Sequence, residues 1–397
     1  MFHLGNVGRD YFLTSESVSR GHPDKVADRI SDEVLDHFLT QNPYAHVAVE
    51  TLVTRDNVVV VGEVCGVSVN PSDIDSVVRS TVRDIGYSIP GFHWNSINVL
   101  VLIHEQSPDI ILGVNTGRGK TGAGDQGVMY GYAIDETDSL IPAPIFYSHL
   151  VLKNIASAID TGKISGLGPD AKTEITLLYV DGRPVKVLRA VLSIQHDEGM
   201  TQQDVRQLVY PYFVAAIPRG WMCKDEDFLV NPTGRFVIGG PVGDSGMTGR
   251  KIMVDTYGGH IPHGGGAFSG KDPSKVDRSA AYMARYLAKN VVYAGLATEC
   301  LVQMSYAIGV PDPLTFSVNT LGTGTIPDEQ IEKYLTENID LSVSGICEHL
   351  SLFKQIYSPT SYYGHFGRSP GDSFSWERLD LSLNMARVFG LRCVECV

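Results

Sequence analysis

The chain has 397 residues, 43% of them hydrophobic and 19% charged, which is enough for two or three domains, or one composite unit, around a large core. A net charge of −13 excludes sequence-independent nucleic-acid binding, which needs a basic face, so any positive charge that holds phosphate has to be local. No apolar run approaches the roughly 20 residues of a membrane span.

The N-terminus Met-Phe-His-Leu-Gly lacks a basic leader before an apolar segment, so a chain that is not exported is expected. Cys65, Cys223, Cys300 and Cys347 lie far apart with no metal or redox spacing, as expected of reduced thiols in a cytoplasmic protein. Cys393-Val394-Glu395-Cys396 is a lone CxxC, without the second pair that zinc requires.

In chain order, Thr14 to Ser19 leads to Arg20-Gly21-His22-Pro23-Asp24-Lys25. Pro23 then opens an amphipathic helix with Val26, Ile30, Val34, Leu35 and Phe38 on one face. His22, Asp24 and Lys25 thus crowd a helix N-terminus and can serve phosphate and metal together; a helix-dipole acid beside a surface histidine is the plainer alternative. Two strands follow, Ala45 to Val53 and Asn57 to Val64. Glu50 and Glu63 interrupt their apolar pattern, each either a strand-edge residue or a ligand for an ammonium or metal ion.

Asp73 to Asp84 reads as a helix and Ile97 to Ile103 as a buried strand. From Gln106 to Gly124 the chain is rich in glycine and poor in apolar residues, which predicts a mobile lid. It ends in Gly122-Ala123-Gly124-Asp125-Gln126-Gly127, where Asp125 could reach a ribose hydroxyl or simply shape a turn. Pro144 to Ile159 is helical; Gly168-Pro169-Asp170-Ala171-Lys172 then leads into two strands joined at Asp181-Gly182. A helix over Gln202 to Phe213 precedes Phe236 and the glycine-framed Asp244, and Phe236 could stack on a base or join the core.

Gly264 to Arg278 combines glycines that bare backbone N–H groups with Lys271 and Lys275, a pattern suited to phosphate. Asp272-Pro273 is expected to cap a helix running to Ala294, and Asp277 in its opening turns needs a divalent cation between itself and phosphate. An ordinary capped glycine loop remains the alternative; a Walker A loop is excluded because Lys271 precedes an aspartate. Cys300 to Val310 and Leu314 to Thr320 then read as strands.

Helix, strand, turn and strand recur over Asp24 to Val64, Pro144 to His196 and Ser274 to Thr320. The expected fold class is therefore α+β: three similar units in a pseudo-threefold arrangement, with helices covering one face of mixed or antiparallel sheets. Units over 12–110, 122–241 and 242–385 are expected, exchanging segments, with 106–124 as the lid. The second sheet faces are expected to pack as well, against another subunit.

Gly21 to Lys25, Gly122 to Gly127 and Gly264 to Asp272, with Tyr363-Gly364-His365-Phe366-Gly367-Arg368, together resemble the methionine adenosyltransferase family of the bacterial and eukaryotic type. The resemblance implies synthesis of S-adenosylmethionine from ATP and L-methionine by attack of sulfur on C5′, then hydrolysis of tripolyphosphate. It implies two Mg²⁺ and one K⁺ per site, and a homodimer or homotetramer with the site between subunits. His22, Lys172, Arg250, Lys251 and Lys271 would be catalytic; Lys25, Asp125, Asp170, Phe236, Asp244 and Lys271 would bind ATP and its phosphates. Glu63, Gln106, Asp244 and Lys275 would hold methionine, Asp24 and Asp277 the Mg²⁺, and Glu50 the K⁺. Arg20 stands where the family pattern has an acid before Gly-His-Pro-Asp, and residues 113–120 and 393–397 follow no family pattern. An ATP-dependent small-molecule kinase is the alternative, although no protein-kinase signature set is present. A non-catalytic nucleotide-binding module would leave the metal carboxylates and His22 superfluous.

Overall fold

The computed structural model describes residues 10–106 and 121–391. The lid expected over 106–124 and the Cys393/Cys396 pair lie mostly or wholly outside them.

Three sheets carry the chain. In the first, β1 (Tyr11–Val18) pairs antiparallel with β8 (Leu167–Val180), which pairs with β9 (Arg183–His196), followed in parallel by β10 (Phe228–Val230). In the second, β2 (His46–Thr54) and β3 (Asn57–Cys65) form a hairpin. β6 (Asn98–Glu105) lies parallel on one side and the short β11 (Gly246–Met247) on the other. The third is antiparallel: β7 (Gly127–Ile134), β12 (Glu299–Tyr306), β13 (Thr315–Asn319). A two-residue hairpin, β4 (Ser88–Ile89) and β5 (Phe92–His93), completes the set.

Helices cover one face of each sheet. α1 (Pro23–Gln41) and α2 (Pro71–Ile85) cover the second sheet, α3 (Ala143–Asp160) with α4 (Gln202–Ala216) the first, and α6 (Val276–Tyr293) the third. The fold is thus the expected α+β class, and α1-β2-β3, α3-β8-β9 and α6-β12-β13 are the three repeats. Each hairpin buries only alternate side chains, so it needs a helix stripe to become a core. Val26, Ile30, Val34 and Phe38 of α1 supply one, against buried Val47, Val49 and Val53 of β2. The β8–β9 turn has φ of 49° at Asp181 and 76° at Gly182, the double left-handed conformation of a tight hairpin.

Strand exchange knits the units together: β1 joins the central sheet, and β11 joins the second sheet from a position nearly 200 residues downstream of β2. α5 (Ile252–Asp255), α7 (Asp328–Asn338), α8 (Val343–His349) and α9 (Ser382–Val388) fill the remainder. Asp277 lies in the first turn of its helix as expected, but the cap expected at Asp272-Pro273 needs correction. α6 begins at Val276, with Lys275 at the cap position. Asp272 is no helix cap: its carboxylate accepts from Val47 N at 2.6 Å and Ser274 N at 2.8 Å, tying the element to β2.

The outward face of the second sheet stays apolar and open, with Leu100 46% and Leu102 51% exposed. No helix among the described residues is long and apolar enough to cross a membrane.

Candidate active site

α1 organises the site through carboxylates at every fourth position: Asp24, Asp28, Asp32 and Asp36. Residues four apart lie on one helix face, so the four form a ladder whose rungs each catch a different loop. Asp24 accepts from Met247 N at 3.0 Å and Asp28 from Gly249 N at 2.8 Å. Asp32 accepts from Gly270 N at 2.9 Å and takes the Arg278 guanidinium in a two-pronged pair at 2.7 and 3.0 Å. Asp36 accepts from Tyr357 N and Ser358 N. Both cationic loops of the candidate site are therefore tied to one helix.

At the N-terminal rung, buried Asp24 takes Lys251 Nζ at 2.6 Å, with Arg250 Nε 3.5 Å away. Burial alone would raise its pKa, but the Lys251 and Met247 hydrogen bonds hold it below the usual carboxylate range. His22 caps α1: its Nδ1 accepts from Asp24 N at 3.2 Å. Burial first, and then Lys251, pushes the ring down to about 3, so it is neutral at physiological pH. Lys172 on β8 stands half exposed beside Glu16 of β1, 3.3 Å from its carboxylate. Asp170, two residues earlier, accepts from Gly240 N at 2.7 Å and is pushed up to about 6 by burial. Gly240 opens the short turn through Val242, so Asp170 also fixes the loop carrying Phe236 and Asp244. Phe236 is partly exposed and held by His196 at both its N–H and its carbonyl, while Asp244 is exposed.

The second group forms around the glycine-rich element. Lys271 Nζ lies 2.6 Å from Asp277, and Lys275 pairs with buried Asp272. A Cβ at Gly270, where φ is 79°, would lie 1.9 Å from the Val49 carbonyl oxygen. That glycine therefore serves the close approach of the loop to β2, not a phosphate alone. Lys271 bridges Ala48 of β2. Exposed Asp125 follows Gly124, whose N–H donates to Ser274 O at 3.2 Å and whose Cα faces the Lys275 stem. Asp24 and Asp32, the rungs that anchor the two groups, are eight residues apart, about 12 Å along a helix. One chain thus presents two half-sites: His22, Asp24, Lys172, Arg250 and Lys251 on one side, and Asp125, Lys271, Lys275 and Asp277 on the other.

Four expected residues, Glu50, Glu63, Gln106 and Lys25, lie with neither half-site. Glu50 is exposed on the outward face of β2, so the premise of a carboxylate buried on its strand does not hold in the single chain. Glu63, on the same face of β3, is 3.5 Å from His104. Gln106 is buried at the end of β6, its N–H donating to Val64 O at 2.9 Å.

Lys25 is the clearest departure. Its ammonium is fully buried, 2.9 Å from Asp28 and paired with Asp255 of α5, and it faces the interior, away from any site a phosphate could reach. Burial pushes Asp255 up to about 7 and raises Asp28 as well, against the pull of Lys25. The residues that sequence reasoning passed over are Glu16, Asp28, Asp32, Asp36 and Asp255. The four-residue spacing from Asp24 to Asp36 was a visible signal for three of them.

Among the described residues, no three His, Cys, Asp or Glu side chains converge to cage a metal. Asp24 and Asp277 each instead offer a carboxylate oxygen already balanced by a lysine. That donor set fits a hard divalent cation held by one carboxylate and by substrate phosphates. At the expected K⁺ position, Glu50 brings a single exposed carboxylate, which is not a site by itself.

Domain models described as the N-terminal, central and C-terminal domains of S-adenosylmethionine synthetase match residues 10–108, 120–236 and 238–378. A protein named S-adenosylmethionine synthase from Rhodospirillum centenum is 55% identical over 383 residues, covering 96% of this chain and 99% of the relative. Proteins of the same name from Paramagnetospirillum magneticum and Methylorubrum populi are 54% and 56% identical over 385 and 387 residues. In both cases 96% of this chain and 99% of the relative are covered.

Proposed function

Because the chain belongs to the S-adenosylmethionine synthetase family and forms S-adenosylmethionine from ATP and methionine, we propose the following division of labour among its residues. The methionine sulfur attacks C5′ of ATP, the C5′–O bond breaks with its electron pair on oxygen, and tripolyphosphate leaves whole. Water then hydrolyses it in place to pyrophosphate and phosphate. A thioether has no proton to lose, so the first step requires neither a base nor a covalent nucleophile. It requires alignment, and stabilisation of charge on the leaving chain.

The observation that carries this reading is the convergence of Lys251 and Arg250 on Asp24, with Lys172 close enough to act on the neutral His22 ring beside it, three cations where transfer of one γ-phosphoryl would need fewer. Since His22 Nδ1 accepts the Asp24 N–H, a neutral ring carries its proton on Nε2. That N–H donates to the departing oxygen, and the arriving phosphates raise the affinity of the ring for a second proton. Lys251 and Lys271 exchange their carboxylate partners for phosphate oxygens when substrate enters. Asp24 and Asp277 would hold Mg²⁺, which would supply positive charge to offset that of the polyphosphate. Asp170 fixes the loop from which Phe236 and Asp244 place adenosine, and Lys275, Gln106 and Glu63 meet the charged ends of methionine.

The second part of the proposal is that a complete site needs two copies of the chain, each giving one half-site. The open apolar face of β2, β3 and β6, which carries Glu50 and Glu63, supports this arrangement. A K⁺ ion at Glu50 would draw its remaining oxygens from the second copy.

A quenched single turnover with γ-labelled ATP tests the chemistry. Adenosyl sulfonium and enzyme-bound tripolyphosphate should appear together, followed by labelled phosphate. ADP formed in step with methionine consumption would instead establish the kinase reading.

A further inference from the structure

Behind the N-terminal half-site lies a cavity of about 150 Å³ to which the reaction gives no role. Leu152, Ile155 and Ile159 of α3 form one wall as a single helical stripe, with Ile194 of β9 and Ile85 of α2 opposite. Arg20, the residue that departs from the family pattern, lies at the rim in a two-pronged pair with Asp160. The buried hydroxyl of Tyr363 also lines the space. That hydroxyl meets the backbone N–H of Arg20 but donates to no acceptor, and burial raises its pKa and keeps the proton in place. A buried donor left unmet beside a largely apolar wall is an unusual cost for a folded chain to carry.

We propose that this cavity is a binding site for a small, uncharged, largely apolar molecule carrying one hydrogen-bond acceptor, which takes the Tyr363 hydroxyl, and that its occupancy is felt at the active site. The size is that of a cavity that holds one benzene-sized molecule, and cavities walled by leucine and isoleucine bind such molecules. The coupling follows from the remaining walls, Ser19-Arg20 and Gly168-Pro169 with Ala171. These two segments are locked together: Ser19 Oγ donates to Pro169 O at 2.6 Å and accepts from Ala171 N at 2.8 Å. They have no slack, because a Cβ on Gly21 would lie 2.4 Å from Pro169 O. The next residues along are His22 on one segment and Asp170 and Lys172 on the other. A molecule that fills the cavity therefore presses on the backs of both segments at once and should slow the enzyme.

Acetophenone and ethylbenzene, nearly isosteric and differing by the acceptor, are the probes. Saturation-transfer NMR titration of the full-length protein should show acetophenone binding with a Kd of about 1–10 mM, and ethylbenzene about three- to tenfold more weakly. Tyr363→Phe should abolish that preference without weakening ethylbenzene. Ala156→Trp, which fills the space, should remove both, and Ala156→Leu offers a gentler filling if the tryptophan variant does not fold. Saturating acetophenone should lower kcat/KM for ATP at least twofold in the parent and not in the filled variant. Binding that survives in a folded Ala156 variant, absence of binding up to about 20 mM, which would mean that the cavity holds only water, or an unchanged kcat/KM at saturation would overturn the proposal.

Discussion

Two lysines that look equivalent in the sequence behave differently at the scale of single residues. Lys251 reaches buried Asp24 from a partly open position, whereas Lys25 is sealed between Asp28 and Asp255. Removing one partner of a buried charge cluster strands the others, so Lys25→Met should cost about 3 kcal/mol of stability, read by chemical denaturation. The KM for ATP of the folded fraction should change little. Lys251→Met should do the reverse, lowering kcat by tenfold or more with a smaller loss of stability than Lys25→Met, because Arg250 still faces Asp24; equal effects of the two variants would contradict the assignment. Asp36 supplies a pH test. Burial pushes its carboxyl from 3.8 to about 7 even though it accepts two backbone N–H bonds. Between those values the folded chain keeps a proton that the unfolded chain has lost. The contribution of Asp36 to stability is therefore present below pH 4 and is lost as pH rises towards 7. Asp36→Asn, which keeps an acceptor and removes the charge, should gain on the parent by a few kcal/mol between pH 4.5 and 7. A stability difference that stays constant over that range would remove Asp36 as the titrating group.

At the scale of elements, α1 does two jobs on neighbouring faces. Val26, Ile30, Val34 and Phe38 pack on β2, while Asp24, Asp28, Asp32 and Asp36 hold loops. Each step of four residues turns about 400°, so the acid ladder drifts about 40° per rung and reaches loops spread around the helix. Asp28→Ala would release Gly249 N and leave Lys25 with Asp255 alone in one change. Arg250 and Lys251 should then lose their fixed position, raising the KM for ATP about tenfold, while the second half-site, by the glycine-rich loop, keeps its own anchor at Asp32, about one turn further along α1. Asp32→Ala should instead loosen Lys271 through Gly270 and Arg278. Kinetics of both variants that were indistinguishable from the parent would argue against loop anchoring by the ladder. Apolar periodicity made the helices and hairpins legible, including the threefold repeat, because a core is patterned along the chain. The site was legible only as a set of residue types. Periodicity reports which way a side chain faces within its own element, but Lys25 is turned inward by Asp255, 230 residues away. Glu50 shows the converse: an acid in an apolar strand looked buried, yet its strand alternates and places it on the open side.

At the scale of the whole molecule, one chain carries all the residues expected for the reaction and does not bring them to one place. Lys251 and Lys271 are anchored through rungs about 12 Å apart on the same helix, each against its own carboxylate. Two copies related by a twofold axis would join the groups if their open sheet faces met so as to set the first half-site of each copy against the second half-site of the other, since an isologous contact is reciprocal. Leu100, Leu102 and Val61, exposed on that face, supply an apolar contact surface for the pairing. The arrangement gives a quantitative expectation. His22→Ala disables one half-site and Lys275→Ala the other, so each homodimer should be nearly inactive. In a heterodimer of the two variants, one site receives both substitutions and the other receives none. Random exchange at equal concentrations makes half of all dimers heterodimers, each with one intact site of two, so about a quarter of parental activity should return. Exchange is verified independently with differently tagged chains and mass spectrometry of the intact dimers. Activity that stays at the level of the separate variants once heterodimers are present would place both residues in sites built within one chain, and the half-site reading would have to be abandoned.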